Sequence, residues 1–250
     1  MKEQKKEINF DERAKINRPT TAEDFEKWYK KTNNDPWFYN SSNVQNRLNK
    51  SIAFISKYLK SNYEGVILDI GAFNGYFTNK LIKYFKESQI VVNDFSETAL
   101  NLANINLINH KRVKFLHKNM LNINKNDIQI FNENGGVVIT LLECLYYLPS
   151  KDREKAISNL IIQFNKPQIF ISAPITGPPY FYEYQIIKMF NKYNYYLVEK
   201  EVLNYTYKNF NKLINKLIYN RISRHCFKFL YLKRTNQVIY FFKSKNNNKI

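Results

Sequence analysis

The chain reads as an α/β protein built on a doubly wound, mostly parallel seven-stranded sheet, with an N-terminal helical lid and a basic helical insertion before the last strand. Three observations predict this. Short apolar runs alternate with segments of helical period from about residue 43 onward. Two of those runs, Val66 to Ile70 and Ile90 to Asp94, carry an acid at or next to their carboxyl end, where open α/β sheets meet their ligands. The first run also enters a turn with glycines four apart, Gly71 and Gly75, directly before a helix.

The elements follow in order. Residues 1–19 are polar and of mixed charge with no repeating apolar face, which predicts an arm. Thr20 or Thr21 with Glu23 or Asp24 has the form of a capping box and starts a short helix through Lys31. Val44, Leu48, Ile52, Ile55 and Leu59 form one stripe on a helix expected over Asn43 to Lys60. After the strand at Val66 to Ile70 come a helix from Tyr76 to Phe85, the strand ending at Asp94, and a helix from Ser96. Val113 to His117 and Val137 to Leu141 are further strands. Ser150 and Asp152 open a helix with the stripe Ala156, Leu160, Ile161 and Phe164. A strand at Ile169 to Ala173, a helix at Phe181 to Asn191, and strands at Tyr195 to Val202 and Val238 to Phe242 complete the sheet. This divides the chain into an arm and lid, 1–42, and one domain, 43–250, with an insertion at 206–236.

The turn Asp69-Ile70-Gly71-Ala72-Phe73-Asn74-Gly75 bends the backbone sharply and lets it approach a ligand. A dinucleotide fingerprint needs glycine where Phe73 and Tyr76 stand, which argues against nicotinamide cofactors. Asp94 lies 19 residues beyond Gly75, about where a doubly wound fold places the carboxylate that accepts both ribose hydroxyls. The pattern Asp69-x-Gly71-x-x-x-Gly75 resembles the cofactor loop of the class I S-adenosylmethionine (SAM) methyltransferases. Leu142-Glu143-Cys144-Leu145-Tyr146-Tyr147-Leu148-Pro149 after the fourth strand, together with Asp35-Pro36-Trp37-Phe38-Tyr39 near the start, resembles the subgroup typified by the nodulation N-methyltransferase NodS.

The resemblance covers about residues 35–205 and the final strand. It implies SAM as cofactor and S-adenosylhomocysteine (SAH) as product. The Asp69, Gly71, Ala72, Phe73 and Gly75 loop would hold the methionine end, and Asp94 the ribose. Phe95 would cover the adenine face, with Asn119 and the adjoining Met120 at the adenine edge; Trp37 and Arg47 would complete the cofactor site. Glu143 would act as base toward an amine, bind a substrate ammonium or cap the following helix, with Tyr146 beside it and Tyr147, Trp37 and Tyr39 as an aromatic wall. A segment Gly177-Pro178-Pro179-Tyr180 resembles the signature of methyltransferases acting on base amino groups, but Gly177 lacks the side-chain oxygen that chemistry uses.

Composition bounds the partners. The 250 residues carry a net charge of +18 with 44% hydrophobic residues, enough for one sizeable core. Two cysteines make no disulfide framework, and the three histidines have no ligand spacing, so no metal is expected. Met1-Lys2-Glu3-Gln4-Lys5 opens without an apolar segment, which reads as a cytoplasmic protein. Between Tyr205 and Gln237 lie eight basic residues and no acid, with Phe210, Leu213, Ile214, Leu217 and Ile218 opposite Lys208, Lys212 and Lys216. A basic amphipathic helix here would lie on an anionic membrane, clasp a phosphorylated acceptor, or simply face water. The expected reaction is methylation of a small amino-bearing, sugar-like acceptor. The alternatives are O-methylation of a phosphorylated glycan or lipid, and a basic nucleic-acid-binding protein of the same fold, for which no recognised RNA-binding motif is present.

Overall fold

The computed structural model describes residues 19, 21–32, 35–39, 41–108, 110–128, 136–177, 180–208 and 232–245. Seven strands form one sheet in the order β3-β2-β1-β4-β5-β7-β6. These are β1 (Val66–Ile70), β2 (Gln89–Asp94), β3 (Val113–His117), β4 (Val137–Leu142), β5 (Gln168–Pro174), β6 (Tyr195–Lys208) and β7 (Leu232–Ser244). The first five pair in parallel, and β7 inserts antiparallel between β5 and β6.

All five residues of β1 are buried, because helices cover both faces of the sheet. Alternation divides them: Val66, Leu68 and Ile70 join the core on one face, and Ile67 joins the core on the other. The first core takes Ala156, Ile157 and Leu160 of α5 (Ser150–Gln163) and Ile186, Met189 and Phe190 of α6 (Glu183–Asn191). The second takes Phe54 and Ile55 of α2 (Ser42–Ser56), Leu81 and Ile82 of α3 (Tyr76–Tyr84), and Leu100 and Ala103 of α4 (Glu97–Asn106). Strand order reverses between β1 and β4, so the loops after these two strands diverge and leave a crevice at their carboxyl ends.

The first helix, α1 (Ala22–Lys31), begins at the expected capping box: the Asp24 amide donates to the Thr21 hydroxyl at 3.1 Å, and the Thr21 amide to the Asp24 carboxylate at 3.3 Å. Two boundaries differ from expectation. Helix α2 stops at Ser56, not Lys60. Strands β6 and β7 run beyond Val202 and start before Val238, pairing as far as Lys208 with Leu232. The ends of the expected insertion at 206–236 are therefore ladder, since Tyr205, Thr206 and Tyr207 are strand formers. Residues Lys212, Lys216, Arg221 and Arg224, and with them the expected basic helix, lie outside the described residues.

Candidate active site

Asp69, 2% exposed, is tied on both carboxylate oxygens. Thr78 of α3 donates to Oδ2 at 2.6 Å, and Thr140 of β4 donates to Oδ1 at 2.7 Å. Burial pushes its carboxyl up to about 6 against the opposing pull of the two hydroxyls. The residue thus clamps α3 and β4 onto β1 at the floor of the crevice.

The two glycines prove to be required mainly by the protein itself. Gly71 has φ +69, and a Cβ there would fall 2.4 Å from Cys144 Cβ. Gly75 has φ +76 and would place a Cβ 2.9 Å from Leu107 Cδ1. The first lets the β1 and β4 loops touch, and the second lets α3 start against the end of α4. Gly75 is not among the residues lining the crevice, whereas Gly71, Ala72 and Phe73 are. Phe73 itself sits at φ 50 and Glu143 at φ 60, so each switch-point loop holds one non-glycine residue in the left-handed region. Such strain concentrates at functional sites.

Asp94 ends β2 with both oxygens engaged by backbone: the Phe73 amide donates to Oδ2 and the Ser96 amide to Oδ1, each at 3.0 Å. The acid therefore locks the glycine loop to the start of α4 as well as facing the crevice. Burial raises its carboxyl to about 6 despite those amides. Asn119 accepts from the Leu121 amide at 2.9 Å and stands exposed at the rim; Met120 is half-buried beside it. Both line the crevice, as does Phe95.

Glu143, just past β4, is held by three side chains. Ser172 Oγ donates to Oε1 at 2.8 Å, Gln237 Nε2 donates to Oε2 at 2.7 Å, and Tyr146 Oη reaches the same oxygen at 3.4 Å. Ser172 comes from β5 and Gln237 from β7, so three strands converge on one carboxylate.

The segment expected to form the lid packs as an aromatic cluster. Phe25 and Tyr29 of α1 pack with Phe73, and Trp28, Trp37, Tyr39, Phe95 and Tyr147 gather around them. Trp37 meets Phe73 edge-on at 4.7 Å, and Tyr39 stacks on Tyr76 at 5.6 Å with the rings 9° apart. Glu26 latches α1 to the start of α4, accepting from Ser96 Oγ at 2.6 Å and from the Thr98 hydroxyl and amide. Burial alone would raise Glu26; the hydrogen bonds from Ser96 and Thr98 outweigh it and hold the carboxyl below its usual range. Arg47 of α2 has no salt bridge to any acid among the described residues. It lines the crevice and also a second cavity, bounded by Trp28, Trp37, Tyr180 and Gln237.

Residues 67–163 match the family model described as a methyltransferase domain. This segment carries a methyltransferase domain. The chain is similar in fold to the N-methyltransferase NodS from Bradyrhizobium japonicum WM9 in complex with SAH, at 15% identity and TM-score 0.62, covering 91% of this chain and 100% of that one. It is also similar to magnesium protoporphyrin IX methyltransferase (ChlM) from Synechocystis PCC 6803 with bound SAM, at 13% identity and TM-score 0.60, covering 92% and 99%. A third similar fold is the 1,6-didemethyltoxoflavin-N1-methyltransferase of Burkholderia thailandensis, at 13% identity and TM-score 0.59, covering 90% and 88%. No curated protein sequence matches the chain at a significant level.

Solved structures of similar fold hold SAM or its product SAH. The crevice fits SAM in its chemistry: a buried acid suited to a diol, an arginine suited to a carboxylate, an amide at the rim, and aromatic faces above. Of the residues expected from sequence, Asp69, Gly71, Ala72, Phe73, Asp94, Phe95, Asn119, Met120, Trp37, Arg47, Glu143 and Tyr146 come together around one crevice, and Gly75 does not. Sequence reading missed Thr78, Thr140, Glu26, Ser172 and Gln237. Thr78, early in the helix after the glycine loop, and Thr140, two residues before the Leu142 to Pro149 motif, stood near recognised motifs; Glu26, Ser172 and Gln237 reach the site from other helices and strands.

Proposed function

We propose that the methyltransferase moves the methyl group of SAM to a small, amino-bearing acceptor of sugar-like polarity. When bound, SAM supplies an electrophilic methyl whose carbon–sulfur bond breaks onto sulfur as the acceptor lone pair forms the new bond. Asp94 binds the ribose hydroxyls through its remaining lone pairs, and Asn119 and Met120 meet the adenine edge with Phe95 over its face. Arg47 neutralises the methionyl carboxylate, and Asp69 works indirectly by fixing the loop from Gly71 to Phe73. The lid excludes water and positions both partners, which is the main contribution a protein makes to such a displacement.

The observation that carries the amine reading is Glu143, held by Ser172 and Gln237 on the wall of the cofactor crevice. Its carboxylate orients the acceptor nitrogen and takes the proton that nitrogen loses. NodS and the toxoflavin enzyme, both N-methyltransferases by name, support the same choice of atom. Incubation with labelled SAM and extracts of the host, followed by mass spectrometry of the labelled product, tests it. A product methylated on nitrogen is expected; one methylated on oxygen or carbon overturns the amine acceptor.

A further inference from the structure

Gln237 is 5% exposed, and its carbonyl oxygen Oε1 is buried without a hydrogen-bond partner among the described residues. A buried acceptor left unpaired costs about 1 to 3 kcal/mol, so such a group calls for a missing donor. The amide cannot simply be turned over, because Nε2 must face Glu143: a carboxylate accepts and does not donate. Oε1 is thereby aimed away from Glu143.

Where it sits points to a ligand. Gln237 lines the second cavity together with Trp28, Pro174 and Tyr180. That cavity shares Trp37, Arg47, Tyr146 and Tyr147 with the cofactor crevice, whose wall carries Glu143. The two spaces therefore meet at the Glu143–Gln237 hydrogen bond. The backbone is also irregular at this point. Gln237 pairs with Asn204 of β6, and the register slips on both sides of Asn204. Bulges of this kind redirect side chains and are common beside active sites.

Resting on the methyltransferase reading, we infer that Gln237 Oε1 and Glu143 form a paired acceptor subsite that binds a substrate N–H or O–H donor between aromatic walls. Glu143 takes the one proton that the nucleophile loses, and Gln237 Oε1 accepts a hydrogen bond from a second N–H, which suits a primary amine. A subsite of two acceptors disfavours an anionic group at that position. Arg47 is the nearby cation, and its charge is matched by the methionyl carboxylate of the cofactor.

The test uses the full chain loaded with SAH and three probes of one shape: benzylamine, benzyl alcohol and benzoate. SAH affinity is measured first, by calorimetry, for the parent and for Gln237→Leu. Equal SAH affinity in the two shows that the variant is folded. Absence of SAH binding by the parent would sink the methyltransferase reading itself. On loaded protein, ligand-observed NMR should find benzylamine and benzyl alcohol bound more tightly than benzoate, with both weakened about 3- to 10-fold in Gln237→Leu, as expected for one lost hydrogen bond. A crystal structure of the benzylamine complex should place nitrogen within hydrogen-bond distance of Oε1, which keeps the inference testable should the variant misfold. The inference fails if SAH binds but no probe does, if benzoate binds best, if Gln237→Leu holds benzylamine as well as the parent, or if nitrogen lies away from Oε1.

Discussion

The indole nitrogen of Trp37 donates a 2.9 Å hydrogen bond to the hydroxyl of Tyr147. It fastens the segment before the domain to the turn after β4, directly over the place where the cofactor crevice and the second cavity join. Tyr147→Phe keeps the ring, which packs edge-on against Phe25 at 5.2 Å, and removes the hydroxyl that accepts from Trp37. A net loss of about 0.5 to 1.5 kcal/mol corresponds to SAH dissociating roughly 2- to 12-fold faster, with association little altered. Stopped-flow displacement reads this directly, and an unchanged off-rate means that Trp37 is not part of a lid.

Affinity and stability should respond to pH in opposite senses. Asp94 has its carboxyl raised by burial to about 6 from an ordinary 3.8. Below about pH 6 it gains a proton and accepts ribose hydroxyls less well, so SAH binding weakens as pH falls from 7.5 to 5. A native pKa above the unfolded one means that its stability contribution is fully present below about pH 4 and is lost as pH rises through about 6; Asp69, raised to a similar value, adds to the same slope. Asp94→Asn should bind SAH weakly with no slope near pH 6, and a parent affinity flat across that range removes Asp94 from the ribose.

Asp94→Ala carries a second consequence beyond lost affinity. The Phe73 and Ser96 amides lose their partner, at about 1 to 3 kcal/mol for each buried group left unpaired. Denaturant unfolding should show that loss, and an undiminished midpoint would mean that other groups or water take over both amides.

Gly71→Ala should be among the most damaging small substitutions in the chain. It adds a left-handed alanine, about 1 to 2 kcal/mol, to a Cβ placed 2.4 Å from Cys144 Cβ. Cys144→Gly in the same chain removes the clash and leaves the backbone term. The double variant should therefore be less destabilised than the sum of the two single changes, and simple additivity in thermal unfolding would show that the two loops do not touch.

Glu26→Ala should free α1 from α4. Loss of hydrogen bonds to a charged acceptor costs about 1.5 to 3 kcal/mol, read as faster hydrogen exchange over residues 22–31. Because the folded carboxyl lies below its usual range, the latch is at full strength above about pH 5 and weakens in acid as the pH falls through the folded pKa. Exchange in the variant equal to the parent at pH 7 would reduce Glu26 to a surface acid.

What the sequence determined alone was local in origin. The β1 run, the glycine loop, Asp94 at the end of β2 and Glu143 after β4 are each legible because a strand, its turn and the next helix are contiguous, and the doubly wound order sets which strand ends meet. The capping box at Thr20 or Thr21 likewise located the first helix, and periodicity the stripe of α2. The tertiary structure decided the rest. Which partners occupy Asp69, Asp94 and Glu143 depends on Thr140, Phe73, Ser172 and Gln237, and the two partners of Glu143 arrive on β5 and β7 at separations of 29 and 94 residues. Nothing in the spacing along the chain encodes that meeting, since β7 takes its place beside β5 only through the antiparallel pairing of Pro174 with Gln237. The glycines show the same division: sequence marks the turns, while only packing reveals that Cys144 and Leu107, not a ligand, fill the space a side chain would need.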